Sequence, residues 1–250
     1  ADHHTVCISS QVGCGMGCDF CMTGKMGLVR NLNVSEILNQ VLEAWRELPE
    51  GANLRNIVFM GMGEPFHNYH NVMRVLEIFT DDHGFNFSQR RITVSTSGLI
   101  PKIHRFGKES VKANLAISLN GVNDTVRSAL MPVNKAYDLE KLVKTCREYP
   151  LESRKRITFE YILIRDLTDS LDDARGLIKL LHGLKFKVIY FSDGVTRDGG
   201  TNRSTTIYGA DDQELIARVH GMGIQQFSIM QTNLEDVYLA MTGGAEAFND

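Results

Sequence analysis

The sequence predicts an α/β fold in which strands and helices alternate along most of the chain. Six short apolar runs with strand character occur in order, and segments with a helical spacing of apolar residues lie between them. Repeated strand–helix units predict a parallel sheet with right-handed crossovers, which is either open or curled into a barrel. With 250 residues, of which 43% are hydrophobic, the chain is long enough to bury the core of such a fold.

The elements follow one another at short intervals. The predicted strands cover residues 5–9, 56–60, 92–96, 114–119, 157–163 and 186–191. The predicted helices cover residues 35–47, 71–80, the neighbours of Ile103, 139–149 and 171–181.

The last sixty residues differ in character from the rest. Residues 193–208 are polar and glycine-rich, which predicts a long loop or linker. A helix at 212–220, a strand at 226–230 and a helix at 234–241 are expected beyond it. We therefore predict a barrel-like domain over residues 1–191 and a divergent α/β tail over residues 192–250.

Composition limits the possible functions. The formal net charge of −3 argues against a uniformly basic nucleic-acid binder, although local basic patches remain compatible with it. No apolar run approaches the length of a membrane span, and no export signal is recognisable, so we expect no membrane partner. Four of the five cysteines lie within the first 21 residues. This clustered, odd number predicts metal ligation in a reducing cytoplasm.

Three of these cysteines, Cys14, Cys18 and Cys21, lie within eight residues of one another. Three thiolates at this spacing can bind three corners of one [4Fe-4S] cluster, and the glycines between them let the backbone fold tightly around it. A fully ligated cluster takes four cysteines. Three therefore leave one iron open to a substrate, which predicts radical chemistry with S-adenosylmethionine.

Two alternatives apply to the same cysteines. One is a structural zinc site completed by Cys7, His3 or His4, and the other is a set of buried thiols without a metal. Zinc sites usually show two separated ligand pairs, and no second pair is present. The cluster is therefore the preferred interpretation.

Small and polar residues follow the second, third and fourth predicted strands. Because carboxyl ends of parallel strands meet at one edge of a sheet, these residues are expected beside the cysteine loop. Each is also compatible with ordinary turns and strand-end capping. The Glu64 carboxylate can bind an ammonium group such as that of methionine, and the polar groups after the fourth strand can bind a ribose. Among the residues at these strand ends are Gly63, Glu64, Ser95, Ser118, Leu119 and Asn120.

Basic residues form two runs. They are either solvated surface or contacts for RNA phosphates. The first run contains Arg90, Arg91, Lys102, Arg105, Lys108 and Lys112, and the second contains Arg154, Lys155 and Arg156.

Six ordered motifs together resemble one family very closely, over about residues 2–188. The family is that of the radical-SAM adenine-C2 methyltransferases of 23S ribosomal RNA and tRNA, with their C8-methylating relatives. The motifs are CISSQVGC at 7–14, GMGEP at 61–65, TVSTSGL at 93–99, LAISLN at 115–120, LMPVNK at 130–135 and FEY at 159–161.

This resemblance implies a partial (βα)6 radical-SAM barrel and methylation of adenine C2 in 23S rRNA, with tRNA as a further possible substrate. It implies Cys14, Cys18 and Cys21 as cluster ligands and the six residues named above as contacts for S-adenosylmethionine. It also implies that Cys7 helps to resolve a covalent enzyme–RNA intermediate by removing the ring proton. An electron donor such as a flavodoxin-type reductant is expected as a partner.

The sequence departs from the family in three places. The chain begins close to its first strand, where the family carries an N-terminal RNA-binding domain. After Lys187 and Val188, the family's Asn that contacts S-adenosylmethionine has no match. No cysteine follows Cys146, so the methyl-carrying C-terminal cysteine has no counterpart. We therefore expect that this chain cannot complete the methylation that the family carries out. The two alternatives are a remnant that binds the cluster and S-adenosylmethionine without turnover, and a zinc-stabilised RNA-binding fragment.

Overall fold

A computed structural model describes residues 3–192 and 206–208. Its strands are β1 (His3–Cys7), β2 (Gln11–Gly13), β3 (Leu28–Asn31), β4 (Asn53–Phe59), β5 (Ile92–Thr96), β6 (Asn114–Ser118), β7 (Ile157–Leu163), β8 (Phe186–Ser192) and β9 (Thr206–Tyr208). Its helices are α1 (Met22–Lys25), α2 (Val34–Arg46), α3 (Tyr69–Thr80), α4 (Ile100–Phe106), α5 (Asp124–Leu130), α6 (Leu139–Glu148) and α7 (Leu171–Leu181). Short 3-10 turns lie at Gln89–Arg91 and Pro132–Lys135.

The main sheet has the strand order β1-β4-β5-β6-β7-β8-β9. The first six strands are parallel and curl into a half-barrel, and β9 adds antiparallel to the edge of β8. The remaining two strands, β2 and β3, form a separate antiparallel pair. The predicted α/β fold with a partial six-stranded barrel is confirmed.

Alternation along each strand gives the sheet two different faces. On β7, Ile157 and Phe159 belong to the main hydrophobic core under the helices. The intervening residues Thr158 and Glu160 point to the other face, inside the half-barrel. This inner face is polar, and it is where the two cavities described below lie.

The helices begin where the sequence supplies caps. At α2, the Asn33 side chain accepts from the backbone N–H of Glu36, whose carboxylate accepts from the Asn33 N–H in return. At α7, Ser170 and Asp173 form the same reciprocal arrangement. These caps satisfy backbone donors that would otherwise lack partners in the first turn. None of the described helices has the length and hydropathy that a bilayer span requires.

The structure differs from the predicted elements in several places. Strand β1 lies at His3–Cys7 rather than at residues 5–9, and the predicted loop over 193–208 is wrong for its last three residues, which form β9. The β2–β3 pair and α5 were not predicted, because these short elements contain few apolar residues and show no clear period. The elements predicted at 212–241, and with them the proposed tail domain, lie outside the described residues.

Candidate active site

The three-cysteine loop lies between β2 and α1 and is folded back on itself by backbone hydrogen bonds. The Cys14 N–H donates to the Gly27 carbonyl at 3.0 Å, and the Cys21 N–H donates to the Cys18 carbonyl at 3.1 Å. At the start of the loop Gly13 has φ +74°, and a Cβ at this position would lie 1.9 Å from the Gly27 oxygen. Only glycine allows this close approach.

The loop brings three free, partly buried thiols together. Burial, and then the nearby Cys21 and Cys14 thiolates, raise the pKa of Cys18 to about 12. Without a bound cation the Cys18 thiol therefore stays protonated near neutral pH, and a cluster would hold it as a thiolate. Among the side chains that the structure describes, no three His, Cys, Asp or Glu groups converge on a single ion. In a cubane each cysteine binds a different iron, so the loop fits a cluster.

One wall of the loop is apolar. Cys18 and Phe20 pack against a small hydrophobic cluster formed by Leu130, Met131 and Val133. Such a wall limits access of water to a bound cluster and lowers the local dielectric constant. Residues of the α5 region therefore shape the site from one side.

A cavity of about 130 Å³ opens at the carboxyl ends of β4, β5 and β7. Next to it, Gly63 has φ +97°, and a Cβ there would lie 2.5 Å from the Cβ of Gln11. The loop after β4 can therefore pass this close to the loop after β1 only with glycine. The lining residues are Phe59, Met60, Gly61, Gly63, Glu64, Pro65, Ser95, Thr96, Ser97 and Glu160.

Glu64 is a buried carboxylate with almost complete hydrogen bonding. Its Oε2 accepts from both the N–H and the hydroxyl of Ser97 at 2.7 Å, and its Oε1 accepts from the Phe66 N–H at 3.0 Å. Burial nevertheless raises its pKa, and these donors act against that shift. Glu64 also raises the pKa of Cys14, after the larger effect of burial, so the carboxylate and the cysteine loop belong to one site.

Glu160 is a second buried carboxylate in the same cavity. Its Oε2 accepts from the hydroxyls of Ser95 and Ser118, both at 2.7 Å. Its Oε1 is buried and has no hydrogen-bond partner in the described protein. Burial is the main cause that raises its pKa, and Glu64 adds to it. In the sequence Glu160 is part of the FEY motif, but it was not among the predicted contacts for S-adenosylmethionine. A single acidic residue in the otherwise largely apolar strand β7 could have indicated its place in the site.

The predicted contacts for S-adenosylmethionine do not all reach the cavity. Gly63, Glu64 and Ser95 line it, and Ser118 joins them through Glu160. The Leu119 side chain is buried in the main core. The side-chain amide of Asn120 contacts other residues of the protein. Its Oδ1 accepts from the Ile162 N–H at 3.0 Å, and its Nδ2 lies 3.4 Å from the Met131 sulfur. Neither Leu119 nor Asn120 is among the lining residues.

Arg127 on α5 is a structural residue of the site that the sequence analysis missed. It is fully buried, and its guanidinium donates to four acceptors around the carboxyl ends of β5 and β6. They are the carbonyls of Leu119, Ser97 and Ser118 and the Asn134 side chain, at 2.8 to 3.1 Å. Burial lowers the pKa of Arg127 to about 10. Its role depends on α5, which the sequence did not reveal.

The two cysteines outside the loop have different surroundings. Cys7 lies on β1 opposite Val58. Side chains alternate between the two faces of a strand, and Val6 lies in the main core, so Cys7 lies on the inner face of the half-barrel. Burial raises the pKa of its thiol to about 11, with a smaller contribution from Glu160. Cys146 on α6 is 1% exposed and belongs to the main hydrophobic core.

The basic residues do not form one surface. Lys102 and Arg105 on α4 lie over the Tyr69 ring, and Lys112 donates to the Gly107 carbonyl. A second cavity of about 640 Å³ lies at the amino ends of β6, β7 and β8. Its lining residues are Arg90, Asn114, Glu152, Ser153, Arg154, Lys155, Arg156, Thr158 and Lys187.

Comparison with known proteins agrees with this geometry. The model of the radical SAM superfamily matches residues 8–181. The chain is 51% identical over 219 residues to the dual-specificity RNA methyltransferase RlmN of Syntrophotalea carbinolica, covering 87% of this chain and 55% of that protein. It is 52% identical over 192 residues to the protein of the same name from Nitratiruptor sp., covering 76% of this chain and 54% of the relative. The chain thus spans about half the length of these relatives.

A solved structure shows the same fold. The radical SAM methyltransferase from Sphaerobacter thermophilus has a TM-score of 0.76 and 39% sequence identity, over 92% of this chain and 67% of that one. Family membership implies a [4Fe-4S] cluster and S-adenosylmethionine as cofactors, which the donor set of the cysteine loop fits. The family model covers most of the sequence and includes the cysteine loop and the half-barrel, and the chain belongs to the radical SAM superfamily.

Proposed function

We propose that this chain is the barrel of a radical SAM RNA methyltransferase that acts on C2 of an adenine in 23S rRNA and, as a second substrate, in tRNA. The observation that carries the proposal is the placement of three free thiols beside a cavity lined by two buried carboxylates. Relatives of about 50% identity are named dual-specificity RNA methyltransferases, which supports RNA as the substrate.

Methylation of adenine C2 requires the two cofactors, the [4Fe-4S] cluster and S-adenosylmethionine. When bound, the cluster supplies the electron that starts radical chemistry on S-adenosylmethionine, as required because adenine C2 is not nucleophilic. We assign Cys14, Cys18 and Cys21 to hold the cluster. Glu64 would bind the ammonium group of S-adenosylmethionine, since a carboxylate forms charge-assisted hydrogen bonds with such a group.

Cys7 is assigned as the group that takes the proton from the adenine ring. Its position on the inner face, beside the backbone of Met60, supports this role. A thiol with a pKa of about 11 is a poor base at neutral pH, because very little of it is ionised. Cys7 therefore depends on the bound substrate to change its surroundings before it acts.

The basic cavity is assigned to RNA phosphates. Its lining includes Arg90, Lys187 and the second basic run, which is residues 154–156. It lies at the opposite end of the strands from the cysteine loop. Arginine and lysine side chains that neutralise phosphates supply most of the sequence-independent affinity for nucleic acid. An RNA substrate and free thiols both suit the cytoplasm, and we expect a flavodoxin-type protein as the electron donor.

A second candidate function is binding of the cluster and S-adenosylmethionine without complete methyl transfer. The observation that favours it is Cys146. It is the only cysteine of the 250 residues beyond the cluster loop, and its buried position in the core prevents it from carrying a methyl group to RNA. In this case the chain releases 5′-deoxyadenosine but does not methylate RNA.

Anaerobic reconstitution with iron and sulfide tests the cofactor assignment. We expect about four iron atoms per chain and a brown colour in the wild type, and loss of both in Cys18→Ser, because a cubane with two ligands is unstable. Cys146→Ala is the matched control and keeps its iron. A colourless protein that binds one zinc per chain would contradict the proposal.

Two assays on the reconstituted chain then separate the two candidate functions. One measures 5′-deoxyadenosine, and the other measures methylation of a 23S rRNA fragment at adenine C2. Both products support the methyltransferase. Deoxyadenosine alone supports the incomplete enzyme, and the absence of both refutes radical SAM activity of this chain.

A further inference from the structure

We propose that Glu160 positions S-adenosylmethionine by presenting its open carboxylate oxygen to the positive charge of this ligand. The inference rests on the proposed function and adds a residue to the same site. It starts from the hydrogen bonds of the cavity, which decide what kind of ligand the cavity accepts.

The first step concerns the direction of the hydroxyl hydrogens. Ser95 and Ser118 both donate to Oε2 of Glu160, and Ser97 donates to Oε2 of Glu64. A hydroxyl has one hydrogen to donate, so all three serines have only lone pairs left for a ligand. The side chains of this group therefore act as hydrogen-bond acceptors, and a matching ligand must bring donors.

The second step concerns the open oxygen. Glu160 is 8% exposed, it lines the cavity, and its Oε1 has no hydrogen-bond partner in the described protein. An acceptor left without a partner away from water is unfavourable, and more so when it belongs to a charged group. A ligand donor at Oε1 removes this penalty.

The third step concerns charge. None of the ion pairs among the described residues involves Glu64 or Glu160. Two buried carboxylates in one small cavity repel each other, as the effect of Glu64 on the pKa of Glu160 indicates. A neutral donor such as a ribose hydroxyl leaves this charge uncompensated, whereas a cation compensates it. S-adenosylmethionine carries two positive groups, its ammonium and its sulfonium.

The fourth step is geometric. Glu160 lies on β7 opposite Ser118 on β6, and Ser95 lies on β5. One carboxylate oxygen thus spans three adjacent strands and fixes the serines that the sequence assigns to S-adenosylmethionine. The other oxygen is then held toward the cavity, because the first is anchored twice. Glu160 both positions the serines and presents its own charge.

Ligand binding to the reconstituted chain of 250 residues tests this proposal. Dissociation constants are measured by anaerobic equilibrium dialysis for S-adenosylmethionine and for 5′-deoxyadenosine, which keeps the ribose and base but has no positive charge. For Glu160→Gln we expect S-adenosylmethionine to bind at least tenfold more weakly, with less than a threefold change for 5′-deoxyadenosine. Glu77→Gln, an exposed position on α3, is the control and changes neither.

The outcomes are distinguishable. Equal affinity of wild type and Glu160→Gln for S-adenosylmethionine overturns the inference, and an equal loss for both ligands overturns the role of charge. A wild type that binds no S-adenosylmethionine refutes the proposed function instead. If Glu160→Gln does not fold, Glu160→Asp replaces it. It keeps the charge but withdraws it by one methylene from both serines, so at least threefold weaker binding of S-adenosylmethionine is expected, and unchanged affinity overturns the proposal.

Discussion

The two ends of the half-barrel differ sharply, although the same strands build both. At the carboxyl ends, a cavity of about 130 Å³ holds two buried carboxylates whose hydrogen bonds are nearly all internal. At the amino ends, a cavity of about 640 Å³ is lined by three exposed arginines and two partly buried lysines. They are Arg90, Arg154, Arg156, Lys155 and Lys187. On β7, Thr158 belongs to the second cavity and Glu160 to the first, two residues or about 7 Å apart.

This difference separates two ways of recognising a ligand. The small cavity is fixed by short hydrogen bonds before any ligand arrives, which suits a small cation that needs exact placement. The large cavity is lined mainly by cationic side chains, whose charge suits an extended polyanion. Substitutions at the first end are therefore expected to affect folding and cofactor binding, and those at the second end to affect RNA binding.

The largest effect is expected from Arg127 at the carboxyl end. Arg127→Met leaves three buried acceptors and one partly buried acceptor without their donor. Each buried group costs about 1–3 kcal/mol, so the free energy of unfolding falls by at least about 3 kcal/mol. Denaturant unfolding measures this loss. Arg175→Met on α7, which removes an exposed ion pair with Asp172, changes stability little. Similar losses in both variants would show that burial of Arg127 has no special role.

A smaller effect is expected at the amino end. The double variant Arg154→Gln/Arg156→Gln removes two cations from the basic cavity, and we expect about tenfold weaker binding of a 23S rRNA fragment. The slope of log affinity against log salt is negative, and each lost phosphate contact reduces its magnitude by about 0.7. Fluorescence anisotropy across a salt series measures both.

The matched control for this variant is Arg46→Gln/Arg74→Gln, which removes the same charge from exposed positions on α2 and α3. Release of 5′-deoxyadenosine without RNA stays unchanged in the Arg154/Arg156 variant. If the control weakens RNA binding as much, the basic cavity is not the contact surface. The effect would then reflect net charge alone.

The smallest effect concerns the pH dependence of stability. Burial raises the pKa of Glu160 above its unfolded value, so the folded state keeps this proton after the unfolded state has lost it. Stability contributed by this group is present below the ordinary carboxyl pKa and is lost as pH rises through the raised value. Without S-adenosylmethionine, Glu160→Gln therefore gains stability relative to wild type as the pH rises above the ordinary carboxyl pKa.

Thermal unfolding at several pH values checks this expectation. Glu77→Gln, whose side chain is exposed and paired with Arg74, shows no such trend. A difference between wild type and Glu160→Gln that stays constant with pH would mean that Glu160 is ionised equally in both states. The acidic end would then be better solvated than its burial indicates.

The sequence predicted the parts of the fold that have a strong local pattern. Strands β5 and β7 and helix α7 lie at the residues predicted, because β-branched or aromatic residues mark the two strands and apolar residues recur at helical spacing along α7. The three-cysteine loop was equally recognisable in the sequence, since its three cysteines and three glycines lie within residues 13–21. The structure does not test the predicted tail, which lies outside the described residues.

Other features depend on contacts between residues far apart in sequence. Ser95, Ser118 and Glu160 share hydrogen bonds only because three strands lie side by side in register. The basic run from Arg90 to Lys112 looked continuous in sequence, but β5 and α4 carry its members to different surfaces. Linear spacing does not determine such distances.

The sequence by itself determined the α/β class, the cysteine loop and its likeness to radical SAM methyltransferases, because periodicity and ligand spacing are local properties of the chain. Only the tertiary structure decided that the inner face of the sheet has an acidic end and a basic end. It also decided that Arg127 holds strand ends together and that one oxygen of Glu160 is left open. These outcomes depend on burial and on hydrogen bonds across strands, which exist only when distant segments pack together.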